Sequence, residues 1–231
     1  MRKLLYVFLI MVIVVVIGLQ FLLPPMLNQK VVDSINRAFN PTSSQVVITS
    51  VPAAKLLIGN VDGIEADIVN AKLKDGLVFK SIHLVAKDVG FNITSMYGNK
   101  DFAPDSVGSG RLEGVLTEEA VSTYLSKKLE KLDQAVVRFT PEEVALQGRV
   151  TIGGFLEGTI TAMGTVEIKG NTVIFAPHKM SLNGTNLPSI TSAILKEVPI
   201  YNFDEFPFPV TVKEVEAQKG SLRVVVVPVS K

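Results

Sequence analysis

Apolar and polar positions follow three different rhythms along this chain. From Leu4 to Leu23 there is no alternation at all: twenty residues pass without a charge, and at about 1.5 Å per residue a helix of that length spans a hydrocarbon layer of roughly 30 Å. Pro24-Pro25 is expected to break that helix. Beyond it Leu27, Val31, Ile35 and Phe39 recur every fourth residue among Asn28, Lys30, Asp33, Asn36 and Arg37. This spacing predicts an amphipathic helix over 26–39 that stops near Asn40-Pro41. A second helix is expected over 117–132. Thr117 is a good cap for it, and Glu118 and Glu119 suit its positive N-terminal end. Val121, Tyr124, Leu125, Leu129 and Leu132 share one face, with Lys127, Lys128 and Lys131 on the other. A third, shorter helix is expected after Leu187-Pro188, carrying Ile190, Ala193 and Ile194.

The remaining rhythm has a period of two, with one wet face and one dry. Val46 and Ile48, the stretch from Leu56 to Leu73, and Leu77 to Val89 read as strands rich in β-branched residues, with Asp62-Gly63 and Asp75-Gly76 as hairpin turns. Val150, Ile152, Gly154 and Leu156 alternate with Thr151, Gly153 and Phe155. Thr159, Thr161, Thr165 and Glu167 alternate with Ile160, Ala162, Val166 and Ile168. Gly170-Asn171 turns into Val173 to Leu182, and Val210 to Val215 pairs across Lys219-Gly220 with Leu222 to Val227. Asn92 to Gly110, rich in Asn, Gly, Ser, Asp and Pro, reads as a long connection. A helix with about three strands, then a helix with about four, outlines a weak internal repeat without a residue-level period behind it. Consecutive antiparallel strands with amphipathic helices on one face make a strand-dominated α+β fold.

Charge narrows the range of partners. Past residue 25, which removes Arg2 and Lys3, 21 basic side chains face 22 acidic ones. A near-neutral body with no long basic run has no footprint for a nucleic-acid backbone. With Arg2 and Lys3 ahead of the apolar run and no small-residue cleavage site behind it, residues 1–25 read as an uncleaved signal anchor, a transmembrane helix with its N-terminus in the cytoplasm. Residues 26–231 then form one extracytoplasmic domain at the cell membrane. A cleaved signal peptide is the other reading, disfavoured because the run exceeds the usual h-region of about 7–15 residues.

No catalytic constellation emerges. The chain has no cysteine and two histidines, His83 in a strand and His178 after Pro177, neither with further ligands at metal spacing. Nucleophile elbows, Ser-x-x-Lys pairs and phosphate loops are missing, and Gly108-x-Gly110 does not continue into a dinucleotide fingerprint because position 113 is Glu. Asp62, Glu65 and Asp67 resemble a calcium loop at first sight, but Glu65 and Asp67 alternate with Ile64, Ala66 and Ile68 as the wet face of a strand does. Two glycosylation sequons, at Asn92 and Asn183, carry no assignment. The expectation is a non-enzyme without cofactor or metal.

Several phrases taken in order carry a resemblance. Gly110 to Thr117 (GRLEGVLT) opens a helix, and Gly148 and Gly164 follow in strands. Asn183 to Pro188 (NGTNLP) opens a short helix, and Pro207-Phe208-Pro209-Val210 precedes a terminal hairpin. Together with Leu56-Leu57-Ile58-Gly59 and Asp88-Val89, they make most of residues 26–231 resemble the bacterial LmeA-like phospholipid-binding family. That resemblance implies an extracytoplasmic protein that binds phospholipid and, in mycobacteria, supports synthesis of an envelope glycolipid. It also implies a tubular-lipid-binding-like fold, a curved antiparallel sheet packed against or wrapped around two long amphipathic helices. The family offers no catalytic residue, and nothing in this sequence ties the chain to that glycolipid.

On this reading the lipid-facing candidates are Leu27, Val31 and Ile35 of the first helix, Val121, Leu125 and Leu129 of the second, and Ala162 in a strand. Phe203, Phe206 and Phe208 join them from a segment where, with Tyr201, four of the body's thirteen aromatic residues fall within eight positions. Gly153, Gly154, Gly158, Ala162 and Gly164 would leave room for acyl chains. The competing reading is that the apolar faces close on one another as core, the glycines mark bends, and the rings plug one end. Phospholipid or another acyl lipid and the membrane are the expected partners. An envelope scaffold that binds proteins through a patch or sheet edge is the alternative.

Overall fold

The chain folds mostly into antiparallel β-sheet with few helices. The computed structural model describes residues 2–92, 104–129, 132–152, 156–186 and 197–229, and at 2–9, 16, 17, 19–23, 152 and 156 the backbone alone. Gly153, Gly154 and the short helix expected after Pro188 lie outside the described residues.

Helix α1 runs from Arg2 to Phe39 and passes through Pro24 and Pro25. The break expected at those prolines does not occur. A proline ring fixes φ near the helical value, so a proline pair can begin a helical turn, and the cost falls on the turn before it, which loses two N–H partners. Downstream, Leu27, Val31 and Phe39 are buried against the sheet, and full burial of such side chains stabilises by ~1.5–3 kcal/mol each. The helix stops where its pattern ends. Asn40 adopts a left-handed φ of 39° and donates its N–H to the Asn36 carbonyl, and Pro41 follows.

Strand β1 (Ser43–Thr49) leads into a 3-10 helix (Ala53–Ile58), then β2 (Asn60–Lys72), β3 (Val78–Phe91) and β4 (Pro104–Thr117). Three expectations are corrected here. Leu56 to Ile58 form 3-10 helix instead of strand, because Gly59, at φ 78°, caps it with its N–H on the carbonyls of Lys55 and Leu56. Asp62-Gly63 is not a turn but lies inside β2, where Asp62 accepts from the Val51 N–H and Lys55 Nζ, both at 2.7 Å. Residues 104–110 belong to β4, not to a connection, with Ser109 opposite Lys87 and Val107 opposite Val89. The glycines that made this stretch look irregular fit close neighbours: a Cβ on Gly110 would stand 2.8 Å from the Pro228 ring. Asp75-Gly76 does turn as expected, with Gly76 at φ 95°.

Helix α2 (Glu118–Lys128) is capped by Thr117, whose hydroxyl accepts the Ala120 N–H. It ends before the expected 132; Leu132 lies beyond the helix, buried in the core. Strands β5 (Asp133–Phe139), β6 (Val144–Ile152), β7 (Leu156–Lys169) and β8 (Thr172–Leu182) follow, then a two-residue β9 (Thr185–Asn186) and β10 (Val198–Asn202). The C-terminal hairpin is β11 (Val210–Gln218) and β12 (Ser221–Pro228).

Two sheets result, not one curved sheet around two long helices. The first has the order β1-β2-β3-β4-β12-β11 and the second β10-β8-β7-β6-β5, with β9 paired to β8. β12 thus returns from the end of the chain to lie beside β4, Leu222 opposite Leu116. Each helix packs on the sheet that follows it, α1 on β1 and the 3-10 helix, α2 on β5. Asn171 joins the sheets: its side-chain amide donates to the Val210 carbonyl and accepts from the Val212 N–H, both at 2.9 Å. Among the described residues no helix is long and apolar enough to cross a membrane.

Candidate functional site

The interior is two apolar clusters that meet at α1. The smaller lies under the N-terminal part of the packed helix, where Leu27 and Val31 meet Val46, Ala53, Leu56, Val61 and Ile64. The larger fills the space between the sheets and α2 and contains Phe39, Val121, Leu125, Ala162, Phe203 and Phe206. Ile35 packs against both, while Leu129 and Phe208 are half-buried at the margin of the larger. All ten candidates therefore lie in or against one continuous apolar interior, eight of them around the larger cluster. Among the described residues no polar or charged residue is buried there.

Period-four spacing places Leu27, Val31 and Phe39 on the face of α1 that the first sheet covers. The aromatic segment is positioned differently. Tyr201 is the penultimate residue of β10, Phe203 opens a 3-10 turn, and the rings then stack in series: Tyr201 to Phe203 at 4.8 Å, Phe203 to Phe206 at 5.7 Å, Phe206 to Phe208 at 5.0 Å, and Phe206 to Phe39 of α1 at 5.7 Å. Edge-to-face and tilted contacts of this kind add ~0.5–1.5 kcal/mol per pair beyond burial. Phe203 is 1 % exposed and Phe206 6 %, so in this conformation the rings pack the core. The second helix attaches to the series through Tyr124, which lies 6.4 Å from Tyr201 and donates its hydroxyl to Asp75 at 2.7 Å. Burial, with Asp75 adding to it at both, pushes the two tyrosine hydroxyls above their ordinary range.

Among the described residues, the small side chains do not open room in the interior. A Cβ on Gly164 would run into the carbonyl of Ala176, at a bulge between β7 and β8. On Gly158 it would stand 2.7 Å from the Leu182 side chain, and beside Gly148 the space is filled by Leu132. Surface hollows include one of about 440 Å³, lined by Asp133, Arg149, Glu157, Gly158 and Asn183, and one of about 450 Å³, lined by His83, Lys87, Arg111 and Glu113. Neither is lined by any of the ten candidates.

One polar cluster escaped the sequence reading. Asp67 and His83 face each other across β2 and β3, and their side chains meet at 2.7 Å, with Glu65 3.9 Å from the other ring nitrogen. Sequence spacing cannot show a cross-strand pair sixteen residues apart, although register alone would have. All three residues are exposed on the outer face of the first sheet. Such an exposed contact on a wet face contributes little to stability. His178 likewise pairs with Glu143, at 3.4 Å.

An interior lined by apolar side chains, without a nucleophile, a base or a buried charge among the described residues, is suited to holding hydrocarbon. A family model described as LmeA-like phospholipid-binding matches residues 18–226. The chain belongs to that family. No curated protein matches the chain, and no solved structure does. The LmeA-like family is a phospholipid-binding one. The match covers α1 from residue 18 onward, all of α2, and both sheets except the last two residues of β12.

Proposed function

We propose that this chain is a membrane-tethered, extracytoplasmic phospholipid-binding protein of the bacterial cell envelope that acts without catalysis. The observation that carries the reading is the continuous apolar interior joining α1, α2 and both sheets, free of buried polar residues among those described, in a member of the LmeA-like family. Acyl chains would enter by exchanging with side-chain contacts between residues 27–39 of α1 and the sheet, since the conformation described is closed. Polar headgroups would stay outside, where the charged side chains are. The tether is supported by the charge-free run Leu4 to Leu23 behind Arg2-Lys3, whose backbone is helical and continuous with the packed half of α1. On this reading Arg2 and Lys3 lie in the cytoplasm and the body outside.

A phospholipid with a photoactivatable group at the end of an acyl chain tests the site on the full chain in liposomes. Crosslinks mapped to residues 27–39, 118–128 and 203–208 are expected, together with phospholipid in organic extracts of the purified protein. Crosslinks confined to residues 4–23, with no co-purifying lipid, would leave the scaffold reading in its place. Protease added outside intact spheroplasts should digest the body; a protected body would reverse the topology.

A further inference from the structure

We infer that the 3-10 helix and the residues around it form an apolar collar that rests in the interfacial layer of the lipid bilayer, so that the body lies directly on the membrane. The inference rests on the tether proposed above and adds a second contact to it. α1 and β1 reverse direction at Asn40 to Thr42, and a hydrogen bond from the Ser44 hydroxyl to Asn36 holds them side by side. At ~3.3 Å per strand residue and ~1.5 Å per helix residue, β1 runs back along roughly thirteen residues of helix, which brings its end level with the turn just past Pro25. The packing agrees, since Leu27 and Val31 share one cluster with Ala53 and Leu56 of the 3-10 helix.

This level is just past Leu23, the end of the run read as the tether. If Leu4 to Leu23 fill the hydrocarbon, the next turn of α1 and everything beside it stand in the headgroup layer. Four large apolar side chains are exposed there: Met26 at 60 %, Val51 at 64 %, Leu57 at 41 % and Ile58 at 64 %. Ala53 and Leu56 turn inward onto α1, so the 3-10 helix has one apolar face on the core and another on solvent. Its one cation, Lys55, is paired with Asp62 at 2.7 Å, which leaves the collar close to neutral. At the far end, around the second sheet, Val136 and Ile168 are exposed singly. A concentration of apolar surface beside a helix that enters a bilayer matches the bilayer interface, which takes up apolar side chains to a depth of ~5–10 Å.

The chain has no cysteine, so single-site labelling is unambiguous. Ile58→Cys, Val51→Cys, Ile13→Cys and Lys219→Cys variants of the full chain, each carrying an environment-sensitive fluorophore, are placed in liposomes of phosphatidylethanolamine and phosphatidylglycerol. A fraction of the lipids carries a shallow spin-label quencher, and in parallel liposomes one at the end of an acyl chain, which is the quencher read at position 13. Labels at positions 58 and 51 are expected to shift to the blue and lose intensity to the quencher, while the label at 219 does neither. Quenching at 13 with none at 58 and 51 overturns the collar and leaves the tether standing. No quenching at 13 overturns both. A blue shift at 58 without quenching means protein, not lipid, covers the residue, and also overturns the collar.

Discussion

Tyr124 shows how single side chains hold this fold together. Its ring is buried in α2, and its hydroxyl reaches the Asp75 carboxylate in the turn between β2 and β3, which also receives the Leu77 N–H. Tyr124→Phe keeps the ring and deletes the donor, so stability should fall by about 1–2 kcal/mol, read as a lowered urea midpoint with the cooperativity unchanged. Two carboxylates set the response to acid. A hydrogen bond from Arg223 at 2.7 Å holds the Glu113 carboxyl below its ordinary range, and Lys55, then the Val51 N–H, do the same for Asp62. A folded-state pKa below the unfolded one contributes stability that is whole above the unfolded value and drains as pH falls through the folded one. The urea midpoint should therefore hold level down to about pH 5 and decline below about pH 4.5, and Glu113→Gln should flatten part of that decline.

At the scale of elements, Asn171 is the connection with the most at stake, because one side chain satisfies two backbone groups of β11 from the turn that follows β7. Asn171→Ala leaves the Val212 N–H and the Val210 carbonyl without these partners, and a loss of about 1–3 kcal/mol is expected in thermal melts. Gly164→Ala pushes a methyl into the Ala176 carbonyl and should cost at least as much, whereas Gly170→Ala meets no neighbour and strains only its φ of 64°. These elements also show what was legible in the chain. Period-four spacing in α1, the Thr117 cap, and the turns at Asp75-Gly76, Gly170-Asn171 and Lys219-Gly220 are local signals, and each is where the pattern put it. The misreadings arose where tertiary contacts decide. Pro24-Pro25 stays helical in an α1 whose next turns pack on a sheet, Asp62-Gly63 stays extended between two strands, and residues 104–110 become strand because β3 offers them a partner. The candidate site was legible as a set of apolar faces. Its closed packing was not, since no sequence spacing reveals that Leu182 or Ala176 fills the space beside a glycine.

For the whole molecule, the two apolar clusters give the body a direction: the smaller lies toward the N-terminal part of α1 with the 3-10 helix, and the larger between the two sheets. The place of β12 in that body has a consequence in time. β4 pairs on one side with β3, its nearest neighbour in sequence, and on the other with a strand that begins at Ser221, the two meeting where Thr117 faces Ser221. At ~5–20 residues per second, the intervening stretch of about a hundred residues takes roughly 5–20 s to synthesise, and for that interval the β4 edge has no partner. A chain that ends at Pro209 keeps both helices and the whole second sheet, yet exposes that edge permanently. It should accumulate as aggregate, measurable by sedimentation, while the full chain stays dispersed. Completion of the first sheet thus waits on β12, which is synthesised about a hundred residues after the strand it pairs with.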